Sequence, residues 1–184
     1  MRFVYEDRKA AEAAVFLLRL NDGTMNAVKL LKLLYLADRQ AFVESGYPIT
    51  GAKMVSTDQG PALGEISSCL AWGDAAETPW SQAITPAADF TVGLRQPGGE
   101  LLSLSDFDEG VLGQSFEKYR TWDQWALVRF TQSLPEWKDP DGSSLPIDVR
   151  IILEEAGKSS DEIQDIASLV EGIRAMRQSH VVAG

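Results

Sequence analysis

The side chains that most often carry out catalysis are scarce in this sequence. Its one histidine is His180, near the C-terminus, and its one cysteine is Cys69. A Ser-His-Asp, Cys-His or histidine–metal site would have to use His180, because histidine is the usual general base and the commonest metal ligand. We interpret His180 as a solvated residue of a frayed tail. Cys69 lies in an apolar stretch without a CxxC partner and is interpreted as a buried structural residue.

Grouped carboxylates are the other pattern that could support acid–base chemistry. They are Asp106 with Asp108 and Glu109, Glu154 with Glu155, and Asp161 with Glu162. All lie at predicted helix ends, and the first and third groups are at N-termini, where the helix dipole favours acids. Acid–base catalysis needs two carboxylates converging in a cleft, which local sequence does not indicate. Neither GxxxxGK[ST] nor GxGxxG occurs. No catalytic, metal or cofactor site is expected, and a carboxylate hydrolase is the enzyme alternative.

The net charge of −10 at pH 7 argues against nucleic-acid binding, since proteins that bind DNA or RNA place Lys and Arg on phosphates. The acidity is explained either by solubility or by a surface that attracts a basic partner. No apolar run approaches the roughly 20 residues needed to cross a membrane. The N-terminus shows no signal-peptide pattern, and a lone cysteine forms no internal disulfide. We therefore expect a cytoplasmic protein.

Apolar periodicity and capping residues predict a mainly α fold. Predicted helices cover 7–20, 27–44, 62–72, 106–119, 124–133, 147–156 and 161–177. The predicted N-caps are Asp7, Thr24 or Asn26, Ser105 or Asp106, Thr121 or Asp123, and Ser159 or Ser160. The helix over 27–44 is apolar nearly all round, which is typical of a buried central helix. We expect one compact domain spanning 1–184, with the other helices packed around this one.

A small β element is predicted beside the helices. Residues 48–56 are too short and glycine-interrupted for a helix and are expected to be extended. Residues 58–61 form a predicted turn, with Pro61 at the first position of the third helix. Two β-compatible runs, 90–95 and 100–104, flank Pro-Gly-Gly and predict a β-hairpin.

Two tryptophans near the fifth predicted helix are candidates for binding. Trp122 and Trp125 are three residues apart and share a helical face or its entrance. Burial in the core is the first interpretation. If they are partly exposed, they are good interface anchors, because tryptophan is enriched at binding hot spots.

Two segments carry a resemblance to a known family. Residues 30–66 read LLKLLYLADRQAFVESGYPITGAKMVSTDQGPALGEI, and residues 145–166 read LPIDVRIILEEAGKSSDEIQDI. The order of a K-L-L-Y-x-A helix, a Gly-Tyr-Pro-Ile turn, an extended piece and a Gly-Pro resembles the Panacea domain, whose members include SocA-like antitoxins. The second segment resembles the end of the SocA-like subgroup. The resemblance covers most of the chain and is strongest over 27–66 and 145–170.

The resemblance implies an antitoxin encoded beside its toxin in a bacterium or phage. It implies a mainly α fold with a small β element and neutralisation of the toxin by direct contact. SocA-like members are also associated with delivering the toxin to the ClpXP protease, so a proteolytic adaptor is the alternative. A transcriptional regulator is a further alternative, suggested by the helix–loop–helix around Gly23, which lacks a basic recognition helix.

Matching positions to the resemblance gives the candidate site. Its motif residues here are Lys32, Leu33, Tyr35, Ala37, Gln59, Gly60 and Pro61. The binding candidates, read either as scaffold or as toxin contacts, are Lys32, Tyr35, Asp38, Gln59, Gly60, Pro61, Trp122 and Trp125. Tyr35 and Asp38 are expected to hold the loop over the central helix, and Gly60-Pro61 to fix the turn into the third helix. Residues 74–140 are expected to choose the partner. Related sequences often carry Thr-His before a Pro-Trp-like element, whereas this chain has Thr131-Gln132.

Overall fold

The computed structural model describes residues 1–72, 77–86, 89–96 and 99–182. Over these residues it has eight helices: α1 Asp7–Leu20, α2 Ala27–Ser45, α3 Gly64–Trp72, α4 Pro79–Ala83, α5 Asp106–Tyr119, α6 Gln124–Gln132, α7 Arg150–Glu155 and α8 Ser160–Val182. The strands are β1 Thr24–Asn26, β2 Met54–Thr57, β3 Gly60–Leu63, β4 Ile84–Pro86, β5 Thr91–Leu94 and β6 Leu145–Pro146. The structure is 56% helical, which confirms the mainly α prediction.

Helix α2 is the centre of the hydrophobic core. It packs against α1, α5, α6 and β3. Apolar side chains on all sides of it, among them Leu30, Leu34 and Phe42, are at most 1% exposed. The Asn26 side chain caps its N-terminus by accepting from two backbone N–H groups, and Gly46 ends it with a φ of 80°. The prediction of a buried central helix with an Asn26 cap is confirmed.

The other N-caps that the sequence predicts agree with the structure, with one exception. Ser105 and Asp108 form a reciprocal capping box at the start of α5, and Asp123 caps α6. The prediction that Asp7 is the N-cap of α1 is wrong. Glu6 occupies the cap position, and the Asp7 carboxylate instead accepts from the Arg8 backbone N–H at 2.7 Å.

Two antiparallel three-stranded sheets flank the helices, in the orders β1-β5-β4 and β3-β2-β6. The predicted hairpin of 90–95 with 100–104 is wrong. Strand β5 pairs with β1, where Met25 faces Val92, and with β4. Residues 99–104 form no strand, and residues 97 and 98 lie outside the described part of the chain. Strand β5 pairs with β1, the segment before α2, and not with the residues that follow the Pro-Gly-Gly turn.

The prediction that Pro61 opens the third helix is also wrong. Pro61 lies in β3 opposite Ser56 of β2, and α3 begins only at Gly64. Proline lacks a backbone N–H and is tolerated in a strand at a sheet edge, which is the place of β3 in its sheet. The Asp-Gln-Gly-Pro sequence therefore turns a β-hairpin, in which Thr57 Oγ1 donates to the Gly60 carbonyl.

The C-terminal elements differ slightly from the predicted ones. Helix α7 starts at Arg150, because the backbone N–H of Ile147 donates to Met54 and extends the sheet. Helix α8 extends to Val182, so the predicted end at 177 is too early. The interpretation of His180 as a solvated side chain lies outside the described side chains. Cys69 is half-buried at the edge of the core, where full burial was expected.

No helix in the described part of the chain is both long and apolar enough to cross a membrane. Within the same residues, no group of three histidine, cysteine or acidic side chains is placed to hold a metal ion.

Candidate functional site

The eight candidate residues divide into a buried and an exposed group. Lys32, Tyr35, Asp38, Gly60 and Pro61 are buried, whereas Gln59, Trp122 and Trp125 are exposed. The buried group holds the segments around α2 and α6 in place. The exposed group lies around α6, as the contacts below establish.

Lys32 ties the middle of α2 to strand β3. Its side chain is 1% exposed, and Nζ donates to the Pro61 carbonyl over 2.6 Å. No described carboxylate lies within ion-pair distance of it. Burial lowers the pKa of Lys32 from 10.5 to about 7. Lys32 and Gln59 also line a cleft of about 400 Å³ between α2 and the β2–β3 turn.

Tyr35 and Arg39 converge on a single buried carboxylate, Glu136. The Tyr35 hydroxyl and Arg39 Nε each donate to Glu136 Oε1 over 2.7 Å. The Glu136 side chain is fully buried, and that of Arg39 is 20% exposed. Burial and the neighbouring Glu136 raise the pKa of Tyr35 well above its usual value, so the hydroxyl stays protonated. The three side chains fasten the segment after α6 onto α2.

Asp38 holds the loop after α2. Its carboxylate accepts from the backbone N–H of Thr50 at 3.0 Å and from the Thr50 hydroxyl. The same hydroxyl accepts from the Ala52 backbone N–H at 3.1 Å. Burial raises the pKa of Asp38 from 3.8 to about 7, although the hydrogen bonds from Thr50 act to lower it. Asp38 therefore holds this loop, while Tyr35 holds the segment after α6.

Gly60 is the point at which α6 packs on the β2–β3 hairpin. Its φ is +89°, in the region that favours glycine. A Cβ here would lie 2.7 Å from Thr131 Oγ1 and 3.3 Å from Lys32 Nζ. On the other side of the turn, Gln132 Nε2 donates to the Asp58 carbonyl over 2.8 Å. Gln59 is therefore next to the C-terminal end of α6.

The two tryptophans flank the start of α6. Trp122 precedes the Asp123 cap and is 36% exposed, and Trp125 lies in the first turn and is 53% exposed. The Trp122 ring packs edge-on against Tyr119 and Phe130, with centroids 5.2 and 5.7 Å away. The predicted arrangement at a helix entrance is confirmed, and interpretation of the pair as core is wrong.

Trp125 and Phe130 point to different sides of α6. They are five residues apart, which places them roughly 140° apart around a helix with 3.6 residues per turn. Gln132 is seven residues after Trp125 and therefore lies on nearly the same side of the helix. Gln132 contacts the β2–β3 turn. Trp125 therefore lies on the side of Gln59, and Trp122 lies on the side of Phe130.

A groove of about 440 Å³ lies on the Phe130 side, between α2, α5 and the segment after α6. Its apolar lining comes from Leu36, Val43, Tyr119, Phe130 and Leu134. Its charged lining consists of Arg39 and Lys118, and none of the described residues that line it is acidic. We call the two exposed sides of α6 together the α6 surface: Gln59 and Trp125 lie on one side, and Trp122 and this groove lie on the other.

The sequence alone did not identify Arg39, Lys118, Phe130 or Glu136 as parts of the site. Glu136 lies 97 residues from Arg39 along the chain, and no local pattern reveals such a pair. The one available signal was the proximity of Phe130 to the two tryptophans in sequence.

The comparisons with known proteins give one match. The sequence model of the family described as antitoxin SocA-like, Panacea domain, matches residues 30–138. The matched range contains most of α2, all of α3 to α6 and all eight candidate residues. No curated protein matches, and no solved structure matches.

Proposed function

The chain belongs to the SocA-like antitoxin family with a Panacea domain, and we propose that it neutralises a protein toxin by binding it directly through the α6 surface. The toxin is the product of a neighbouring gene, and the complex forms in the cytoplasm. Neutralisation is stoichiometric and uses no cofactor.

The observation that carries this proposal is the exposure of two indole rings at the entrance of one short helix. Trp122 is 36% and Trp125 is 53% exposed. Covering a large exposed aromatic ring with a partner lowers the free energy of the complex. Tryptophan is also enriched among the residues that dominate binding energy. The groove beside Phe130 adds apolar area on the side of α6 on which Trp122 lies.

The buried contacts beneath the α6 surface support the proposal, because a rigid surface loses little entropy on binding. Glu136 fastens the segment after α6 to Tyr35 and Arg39. Lys29 Nζ donates to the Arg120 carbonyl over 2.7 Å and fastens the connection between α5 and α6. Both ends of α6 are therefore anchored to α2.

Co-expression tests the function. Each gene flanking the native gene is induced alone and together with the wild-type chain, and growth is measured. One flanking product is expected to arrest growth, and the wild-type chain is expected to restore it. The same two proteins, purified separately, are expected to form a stable complex. The proposal would be contradicted if neither flanking gene product is neutralised by the wild-type chain and neither forms a complex with it.

The amount of toxin in the cell separates direct inhibition from delivery to a protease. Direct inhibition predicts that rescue leaves the toxin level unchanged in cells with and without a ClpXP-type protease. An adaptor predicts that the toxin level falls only when that protease is present. If the chain no longer rescues growth in protease-deficient cells, the adaptor function is correct and direct inhibition is wrong.

A further inference from the structure

We propose that the groove beside Phe130 binds a segment of the toxin that combines an apolar side chain with a neighbouring carboxylate. The apolar side chain packs on the floor of the groove, and the carboxylate lies between Arg39 and Lys118. This inference rests on the proposed function and specifies the chemistry of the partner at that surface.

The floor of the groove suits an apolar side chain. Leu36 contributes from α2, Tyr119 from α5, and Phe130 and Leu134 from α6 and the segment after it. Phe130 and Leu134 are half-buried and pack against the hydrophobic core. The volume of about 440 Å³ falls within the range of about 300–1,000 Å³ that is typical of ligand pockets. A protruding leucine or aromatic side chain would remove this floor from water.

Arg39 offers an oriented guanidinium at one wall of the groove. Glu136 Oε1 accepts from its Nε at 2.7 Å, and Oε2 lies at 3.4 Å from Nη2. The Nη1 group makes no hydrogen bond to the described residues and retains its N–H donors. Because a fully buried carboxylate orients the guanidinium, these donors lose less side-chain entropy when they bind a partner carboxylate.

Lys118 provides the second positive charge. Its Nζ lies 5.2 Å from the centroid of the Tyr119 ring, which is part of the groove floor. The side chain is exposed and has no ion-pair partner among the described residues. An exposed ammonium without an acid is available to a carboxylate from a partner.

The charge of this groove is opposite to that of the whole chain. The chain carries −10, yet the two charged side chains that line the groove are both cationic. Glu136 and Glu155 lie outside the lining but both act on Arg39 and offset its charge, so Lys118 is the cationic side chain of the lining that has no acid partner among the described residues. Complementary charge therefore selects an acidic segment at this place.

A zero-length cross-link tests the proposal. The wild-type chain and the purified toxin, the flanking-gene product that binds it, are treated with a water-soluble carbodiimide. The reagent joins an amine to a carboxylate as an amide, with loss of water. Mass spectrometry is expected to find Lys118 joined to an Asp or Glu of the toxin, next to an apolar residue.

Charge reversal provides the second measurement. Lys118→Glu is expected to weaken toxin affinity about tenfold or more and to reduce its salt dependence. The matched control is Lys53→Glu, because the Lys53 side chain is 84% exposed, lies outside the groove and makes only a 4.0 Å ion pair. The control is expected to change affinity less than about twofold. Replacing the cross-linked toxin acid by Lys should restore binding to Lys118→Glu.

The outcomes separate this inference from the proposed function. If the toxin binds and both Lys118→Glu and Lys53→Glu leave its affinity unchanged, the groove assignment is wrong and the antitoxin function stands. Tighter binding by Lys118→Glu would show a basic segment in the groove and would also overturn the assignment. If neither flanking product binds the wild-type chain, the proposed function and this inference fail together.

Discussion

Arg39 and Glu136 form an ion pair in which the acid is fully buried and the base reaches the surface. Arg39 Nε lies 2.7 Å from Glu136 Oε1, and the Tyr35 hydroxyl donates to the same oxygen. The pair thus links the core of the protein to the groove beside Phe130. It connects α2 to a segment nearly one hundred residues away.

Glu136→Ala is expected to destabilise the protein by about 3 kcal/mol, because it leaves the Tyr35 hydroxyl without an acceptor and Arg39 without its partner. Glu136→Gln keeps an acceptor oxygen and should cost about half as much. Chemical denaturation followed by tryptophan fluorescence measures both. Glu154→Ala, an exposed acid one helix away, serves as the control and should stay within about 0.5 kcal/mol. Equal stabilities of all three variants would show that the buried contacts contribute nothing.

Lys32 is expected to make stability rise with pH. Its folded pKa of about 7 lies below the unfolded value of 10.5, so the unfolded chain binds more protons between these two pH values. The free energy of unfolding therefore increases from pH 7 towards pH 10.5, by at most about 1.4 kcal/mol per pH unit. This stability is lost as pH falls through about 7.

Lys32→Met should remove that dependence. At pH 7 the variant avoids burying a charge but loses the hydrogen bond to Pro61, and a net gain of about 2 kcal/mol is expected. Urea denaturation at pH 7, 8 and 9 measures the slope. Lys53→Met, at an exposed position, should keep the wild-type slope. A wild-type slope in Lys32→Met would rule out Lys32 as its source.

Asp38 has the opposite effect in a lower pH range. Its folded pKa of about 7 lies above the value of 3.8 expected in the unfolded chain. The folded state therefore binds more protons between about pH 4 and pH 7, and stability falls as pH rises through that range. Comparing Lys32→Met with Lys32→Met/Asp38→Asn at pH 5 and pH 7 isolates this contribution. A rise in stability over the same range would contradict the assigned direction.

Gly60→Ala is expected to destabilise by about 2–4 kcal/mol, because the new methyl group would meet Thr131 Oγ1 at 2.7 Å and the φ of +89° disfavours a side chain. Gly142→Ala is the matched control. Gly142 has a φ of +76° with no atom within 4 Å of an added Cβ, so it should show only the backbone cost of about 1 kcal/mol. Thermal unfolding compares the two. Equal losses would mean that the close approach of α6 to the hairpin does not matter.

Local sequence signals predicted seven of the eight helices in the described residues and missed the short helix α4. Asn26, Ser105 and Asp123 cap helices where their side chains can accept backbone N–H bonds at short range. The all-round apolar surface of the second helix placed it at the centre. These features depend on neighbours within one or two turns, so a single sequence contains them.

Long-range pairing could not be predicted in this way. The strand over 91–94 pairs with residues 24–26. Pro61 lies in a strand because its segment pairs with β2. In the same manner, Glu136 becomes part of the site only because the fold brings it to Tyr35 and Arg39. The exposure of Trp122 and Trp125 likewise depends on which neighbours pack against α6, which local spacing does not specify.

The central claim is that the α6 surface binds the toxin, and Trp125 tests it most directly. Its ring is 53% exposed, so Trp125→Ala should leave stability within about 0.5 kcal/mol of the wild type. Trp80→Ala, at a side chain 4% exposed, should instead lose about 3–5 kcal/mol and confirms that the stability assay detects a buried tryptophan.

The deciding measurement is the calorimetric affinity of the purified toxin for the wild type and for Trp125→Ala. Removal of a hot-spot tryptophan costs about 2 kcal/mol or more, so the Kd is expected to rise about thirtyfold or more while thermal stability is unchanged. Growth rescue should weaken in parallel. An unchanged Kd for a Trp125→Ala protein that folds normally would contradict binding through the α6 surface.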